Sequence, residues 1–222
     1  MEETLMSIKA ALFDLDGVIV DTAKYHFLAW QRLANELGFV FTEKDNERLK
    51  GVSRMRSLEI LLEVGGILGS FSEAEMNEMT ERKNRWYVDY ISKMDESEIL
   101  EGSVECLKGF REIGIKIALG SASKNAMLIL NNLKIKHYFD AIIDGNKATR
   151  AKPHPEVFLL GAKELGVKPE ECVVFEDAQA GLDAAKIGGM KTVAIGKPEN
   201  LVGYDRIFRG LFEVNPKEIA QL

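Results

Sequence analysis

Short apolar runs that stop at turn residues alternate with amphipathic stretches along most of this chain. The first run, Ala10-Ala11-Leu12-Phe13, stops at Asp14, Asp16 and Gly17. Four more lie at 115–120, 141–144, 172–175 and 192–195. Runs this short, ended by turn residues and rich in β-branched side chains, read as buried strands. Between them, 103–113, 125–133, 156–165 and 181–187 carry apolar residues at helical spacing. Such alternation predicts an α/β fold: a Rossmann-like parallel sheet core with helices on both faces. Ligands on such sheets bind beyond the carboxyl ends of the strands.

Residues 22–95 break the alternation, because they show helical spacing throughout and no convincing strand. Phe27, Trp30, Leu33 and Leu37 share one helix face; Leu58, Leu61 and Leu62 belong to a second helix. The run 73–91 is charged on one side and carries Met76, Met79, Trp86 and Tyr90 on the other. The glycine-rich stretch 65–72 reads as a flexible loop between helices. The expected organisation is a core domain made of 1–21 and 96–222, interrupted by a helical cap domain, 22–95.

Bulk numbers narrow the partners. With 222 residues, 46% of them hydrophobic, the chain can bury one good core and a smaller appendage. A net charge of −6 is no footprint for nucleic acid. No apolar run approaches the ~18 residues of a membrane span, and the acidic start MEETLMSIK lacks the apolar segment of a signal peptide. Cys106 and Cys172 are the only cysteines and form neither a disulfide framework nor a zinc spacing. A cytoplasmic protein with no membrane or nucleic-acid partner is expected, and a monomer.

Four polar clusters each follow a candidate strand. Asp14 and Asp16 end the first run; alternation along a strand would put both on one side. Two carboxylates so placed repel each other unless a cation lies between them, and a helix cap accounts for one Asp but not two. Ser121-Ala122-Ser123-Lys124-Asn125 follows the second strand; small hydroxyl residues opening a helix suit an anion, although alone they read as an ordinary cap. Lys152-Pro153 precedes a helix beginning near Pro155; alone, Lys152 reads as a solvated surface lysine. Glu176-Asp177 ends the run Cys172-Val173-Val174-Phe175 with two acids again. Together the clusters offer hard oxygen ligands suited to Mg²⁺, a serine and a lysine suited to phosphate oxygens, and a carboxylate, Asp14, able to attack phosphorus. Asp16 is placed to give and take the proton.

The order DLDGV, SASK, KP, ED resembles the four motifs of the haloacid dehalogenase-like phosphotransferases and spans the whole core. The helical insert, through Asp21-Thr22-Ala23, Tyr25-His26-Phe27, Lys50-Gly51-Val52-Ser53-Arg54 and Arg82-Lys83-Asn84, is similar to the hexose-phosphate mutases of that family. The resemblance implies interconversion of β-D-glucose 1-phosphate and D-glucose 6-phosphate, with Mg²⁺ as metal and β-glucose 1,6-bisphosphate as activator and intermediate. It makes Asp14 the nucleophile, Asp16 the general acid/base, and Ser121 and Lys152 the holders of the transferring phosphoryl group. It places Asp14, Asp16 (through its backbone carbonyl), Glu176 and Asp177 around the metal. It implies substrate contacts from His26, Gly51, Val52, Arg54, Lys83, Ser121, Ala122, Ser123, Lys124 and Asn125. For His26, coupling of cap closure to Asp16 and simple packing at the hinge both remain open. Three departures stand out: Ala178 follows Glu176-Asp177 where relatives often have serine, the glycine-rich loop 65–72 is expected to differ in length, and 144–150 differs from the familiar pattern ahead of Lys152.

A sugar-phosphate phosphatase of the same superfamily would share the first half of this chemistry. The two differ in whether water or a held sugar hydroxyl takes the phosphoryl group from Asp14, so a water-excluding lid marks the mutase. A non-catalytic sugar-phosphate sensor would have no need of all four acids.

Overall fold

The computed structural model describes residues 7–49 and 52–222. They form two compact units, one built from 7–21 and 95–222, the other from 22–94.

The 22–94 unit contains helices α1 (Ala23–Glu36), α2 (Glu43–Asn46), α3 (Arg54–Val64) and α4 (Glu73–Ile91). Its core gathers Trp30, Leu33 and Ala34 of α1, Leu58, Leu61 and Leu62 of α3, Met79 of α4, and Phe41. The apolar stripes read from spacing are therefore the packed faces. The starts of α3 and α4 are capped as their sequences demand. Ser53 accepts from Arg56 N–H, and Ser72 forms a reciprocal capping box with Glu75. The 65–72 loop differs from expectation. Ile67 N–H donates to the Leu62 carbonyl and Ser70 N–H to the Ile67 carbonyl. Ile67 and Phe71 pack against the helical core. Two apolar anchors hold a segment that its glycines alone would leave free.

The other unit is a six-stranded, wholly parallel sheet of β1 (Ala10–Phe13), β2 (Lys116–Gly120), β3 (Ala141–Ile143), β4 (Cys172–Glu176), β5 (Lys191–Ile195) and β6 (Arg206–Phe208), in the order β3-β2-β1-β4-β5-β6. Helices α5 (Ser103–Glu112), α6 (Ala126–Asn132), α7 (Glu156–Leu165) and α8 (Gln179–Ile187) connect them, and a short α9 (Pro216–Ile219) follows β6. This is an α/β Rossmann-like core into which the helical unit is inserted between β1 and β2. β1, β2 and β4 are almost fully buried, as parallel strands covered on both faces must be. Strand β6 escaped the sequence pattern because it has three residues, one of them the exposed Arg206.

Register positions the chemistry. Phe13 lies opposite Leu119 of β2 on one side and Phe175 of β4 on the other. The Phe13 and Phe175 rings stack at 4.5 Å, and Phe110 of α5 meets both edge-on. The carboxyl ends of β1, β2 and β4 thus stop side by side, and the residues that follow each strand are delivered to one place.

Candidate active site

Asp14 is the first residue past β1. Its N–H donates to the Phe175 carbonyl at 3.0 Å, which extends the β1–β4 ladder by one residue, and the residue is 7% exposed. The pleat does not decide where Asp16 points, as alternation suggested, because β1 ends at Phe13. The chain instead turns through Gly17, at φ +83°, whose N–H reaches the Val20 carbonyl at 2.7 Å. A side chain at Gly17 would overlap the Asp177 carboxylate. Only glycine tolerates that backbone conformation and also lets the turn lie against Asp177. Asp16 is half-buried in this turn, bridged to Val20.

Oxygens of Asp14, Glu176 and Asp177 lie within 4.8 Å of one another. Among them sits Lys152, whose Nζ donates to Asp14 Oδ1 at 2.5 Å, Glu176 Oε1 at 2.5 Å and the Gly120 carbonyl at 3.0 Å. Its Nζ also lies 4.8 Å from the centroid of the Phe158 ring. Far from being a solvated lysine, Lys152 is 8% exposed. Burial opposes its charge, but the carboxylates of Asp14 and Glu176 outweigh that and hold its pKa above the ordinary lysine value. Glu176 is buried beside them; burial pushes its carboxyl up to about 7, with Lys152 pulling the other way and Asp14 adding to the rise. Ala178 N–H donates to its second oxygen at 3.0 Å. Lys152 precedes α7 and is approached through a turn held by Glu156. That carboxylate accepts the N–H groups of Thr149 and Arg150, each at 2.6 Å. An acid in the first turn of a helix reads in sequence as a dipole partner only, so its grip on this turn was invisible there.

Ser121 extends β2, with its N–H on the Ile143 carbonyl at 2.9 Å, and is 1% exposed. Its Oγ accepts from Ser123 N–H at 3.1 Å, and Ser123 Oγ accepts from Asn125 N–H at 3.2 Å. Since α6 starts only at Ala126, the serines do not open a helix; they brace the loop ahead of it. Ala122 and Lys124 are exposed, and Ser123 and Asn125 half-buried.

The remaining candidates belong to the helical unit. His26 of α1 and Lys83 of α4 meet at 2.8 Å through Nδ1 and Nζ. Lys83 is 2% exposed, and its Nζ lies 4.6 Å from the Trp30 ring and 4.9 Å from the Tyr87 ring. The His26 ring stacks on Tyr87 at 4.0 Å. An ammonium can only donate, so Nδ1 accepts and the imidazole proton sits on Nε2. Burial first, then the charges of Lys83 and Arg54, holds the His26 pKa well below its ordinary value, so the ring is neutral. Arg54 is engaged as well: it donates to Glu81 Oε1 and Asn84 Oδ1, both at 2.9 Å. Val52 is exposed. Gly51, expected to touch substrate, lies outside the described residues.

With Glu176 ionised, three carboxylates and one ammonium leave a net charge of −2 at the strand ends, matched by one divalent cation. All the donors are hard oxygens, the set that suits Mg²⁺. A buried serine hydroxyl and a buried lysine lie at the same strand ends as the Asp14 carboxylate, groups whose chemistry suits phosphate oxygens.

The chain belongs to the haloacid dehalogenase-like hydrolase family, whose model matches residues 8–189. Within it, the sequence is 44% identical over 202 residues to the β-phosphoglucomutase of Bacillus subtilis, covering 91% of this chain and 89% of that one. The fold superposes on the crystal structure of a β-phosphoglucomutase from Clostridium difficile with a TM-score of 0.90 and 45% identity, covering 96% and 95% of the two chains. A phosphorylated carbohydrates phosphatase of Thermotoga maritima is 33% identical, with 84% of each chain covered. No helix among the described residues is long and apolar enough to cross a membrane.

Proposed function

We propose that the chain is a phosphomutase that interconverts β-D-glucose 1-phosphate and D-glucose 6-phosphate through an aspartyl-phosphate enzyme. The observation that carries this reading is the convergence of Asp14, Lys152, Glu176 and Asp177 at adjoining strand ends, in a chain 44% identical over most of its length to a β-phosphoglucomutase.

Bringing the Asp14 carboxylate to about 3.5 Å from a phosphate charge costs about 5 kcal/mol per charge pair at an effective dielectric of 20. Lys152, already on Asp14, offsets part of that repulsion and holds a phosphoryl oxygen as phosphate enters. Ser121 holds a second oxygen through its hydroxyl. Mg²⁺, held by the side chains of Asp14, Glu176 and Asp177 and the backbone carbonyl of Asp16, would supply the remaining positive charge.

Asp14 in its phosphorylated form then passes the group to the C6 hydroxyl of β-glucose 1-phosphate. Asp16 takes the hydroxyl proton as the bond to Asp14 breaks. The product, β-glucose 1,6-bisphosphate, turns round and presents its C1 phosphate to Asp14. An Asp14 oxygen bonds to that phosphorus as the P–O bond to C1 breaks, Asp16 returns its proton to the C1 oxygen, and glucose 6-phosphate departs, leaving Asp14 phosphorylated again. Ala122, Ser123, Lys124 and Asn125 serve the sugar and the phosphate that stays behind, with Arg54, Val52, Gly51, His26 and Lys83 contributed by the helical insert. That insert is assigned the lid that keeps water from phospho-Asp14, so that a held hydroxyl wins by effective molarity. The enzyme is expected to work as a cytoplasmic monomer.

A hydrolase is the second reading, favoured by the Thermotoga maritima relative. β-Glucose 1-phosphate with Mg²⁺ and a trace of bisphosphate, coupled to glucose 6-phosphate dehydrogenase, decides between them. The mutase yields glucose 6-phosphate in full; stoichiometric release of inorganic phosphate establishes the hydrolase instead.

A further inference from the structure

We infer that Asn146 is a positioning residue for the 121–125 loop: its side-chain amide ties the Lys124 carbonyl to the buried carboxylate of Asp144. The inference deepens the proposed function and rests on it, since it concerns the loop given there to the non-transferring end of the substrate.

The turn after β3 is built around Asp144, which is 6% exposed. Its Oδ1 accepts from the N–H groups of Asn146 at 3.0 Å and Lys147 at 3.2 Å, and its Oδ2 accepts from Asn146 Nδ2 at 3.0 Å. The same Nδ2 donates to the Lys124 carbonyl at 3.0 Å. A primary amide carries two hydrogens on nitrogen, so the donor capacity of Asn146 is fully used by these two acceptors. The neighbouring Gly145 N–H donates to the Ser123 carbonyl at 3.1 Å. The Gly145 backbone also lies so close to the Ala122 carbonyl that a side chain there would overlap it.

Three consecutive carbonyls of the loop, those of Ala122, Ser123 and Lys124, therefore face the 144–146 turn. In a planar trans peptide the N–H points opposite the carbonyl. The amides of Ser123 and Asn125 accordingly face away from that turn, where the hydroxyls of Ser121 and Ser123 receive them. The loop is stitched from both sides, and the side chains of Lys124 and Asn125 leave from fixed backbone positions. Ser121 is anchored independently, through its own N–H on the Ile143 carbonyl. Loss of Asn146 thus disturbs the far end of the loop and spares the end that handles the transferring group.

The test compares two phosphoryl donors in Asn146→Ala. Asn146 is exposed, but its amide also serves the buried Asp144 carboxylate, so the variant is expected to stay folded with a modestly lower thermal midpoint. For β-glucose 1-phosphate, loss of about one neutral hydrogen bond raises KM roughly 3- to 10-fold. Turnover of acetyl phosphate, which has neither sugar nor second phosphate, stays within about twofold of wild type, because nothing it touches has moved. Asn146→Asp, of the same size but without the donor hydrogens, is expected to raise KM at least as much. An unchanged KM in Asn146→Ala overturns the inference. Equal loss with both donors also overturns it, since that marks a general structural role. A wild-type enzyme that releases phosphate instead of isomerising the sugar overturns the mutase reading; KM for that hydrolysis then carries the same comparison.

Discussion

Replacing Lys152 by methionine keeps most of the side chain's volume and removes one charge from the middle of the site. The ammonium now lies 2.5 Å from both Asp14 and Glu176. Without it, carboxylates within 4.8 Å of each other face one another. At an effective dielectric of 20 that repulsion is about 3.5 kcal/mol, of the same order as the ~3–5 kcal/mol cost of stripping the partner from a buried charge. In the transition state the loss is a charge-assisted hydrogen bond to phosphoryl oxygen, about 3 kcal/mol, which lowers kcat by about two orders of magnitude. The coupled glucose 6-phosphate assay at saturating Mg²⁺ measures that loss, with thermal unfolding run in parallel. The metal-free variant should also change its response to pH. Glu176 already titrates near 7, above its ordinary value of 4.5, and without Lys152 it moves higher. A carboxyl raised in the folded state contributes stability below its unfolded pKa and loses it as pH rises through the folded one. Lys152→Met without metal is therefore expected to be most stable near pH 4–5 and to weaken towards pH 8 relative to wild type. A folded Lys152→Met enzyme within fivefold of wild-type kcat would refute the role given to this lysine.

Mg²⁺ should raise the thermal midpoint of the wild type, because a cation bound only by the folded state stabilises it by mass action, and Asp177→Ala should abolish that rise. His26 is held neutral, with its pKa well below the ordinary 6.5. The unfolded chain therefore takes up a proton below that pH while the folded protein does not, and stability falls by up to about 1.4 kcal/mol per pH unit between pH 6.5 and 5. Unfolding midpoints for His26→Gln should fall less steeply over that range; parallel curves would show that other groups set the slope. Glu81→Gln removes the carboxylate paired with Arg54, which on the substrate role proposed for Arg54 competes with phosphate. The exposed pair is worth at most about 1 kcal/mol, so KM for β-glucose 1-phosphate should fall no more than about fivefold, with kcat unchanged. A rise in KM would show that Glu81 orients Arg54 for substrate.

Much of the core was legible because its signals are local. An apolar run closed by acids and glycine names both a strand and what lies past its end, and Phe13 followed by Asp14, like Phe175 followed by Glu176, is such a signal. The stripe Trp30, Leu33 and the set Leu58, Leu61, Leu62 marked packed helix faces for the same reason. Strand β6 was too short and too polar at Arg206 to register. The anchoring of the 65–72 loop by Ile67 and Phe71 left no signal, because glycine content is local and packing is not. Glu156 and Asn146 were passed over because each bonds to backbone of another segment, an act with no sequence signature.

Asp14 and Glu176 were nameable as candidates from residue type and neighbours, as paired acids closing apolar runs; Lys152, a surface lysine when read alone, became one only beside the other clusters. Only the parallel register, with Phe13 between Leu119 and Phe175, put a lysine 138 residues away within 2.5 Å of Asp14. Burial then turned an ordinary surface charge into one that two carboxylates hold in place, because attraction between charges grows as water is excluded. Composition and spacing carry no information about that exclusion; it arises when distant segments close on one another.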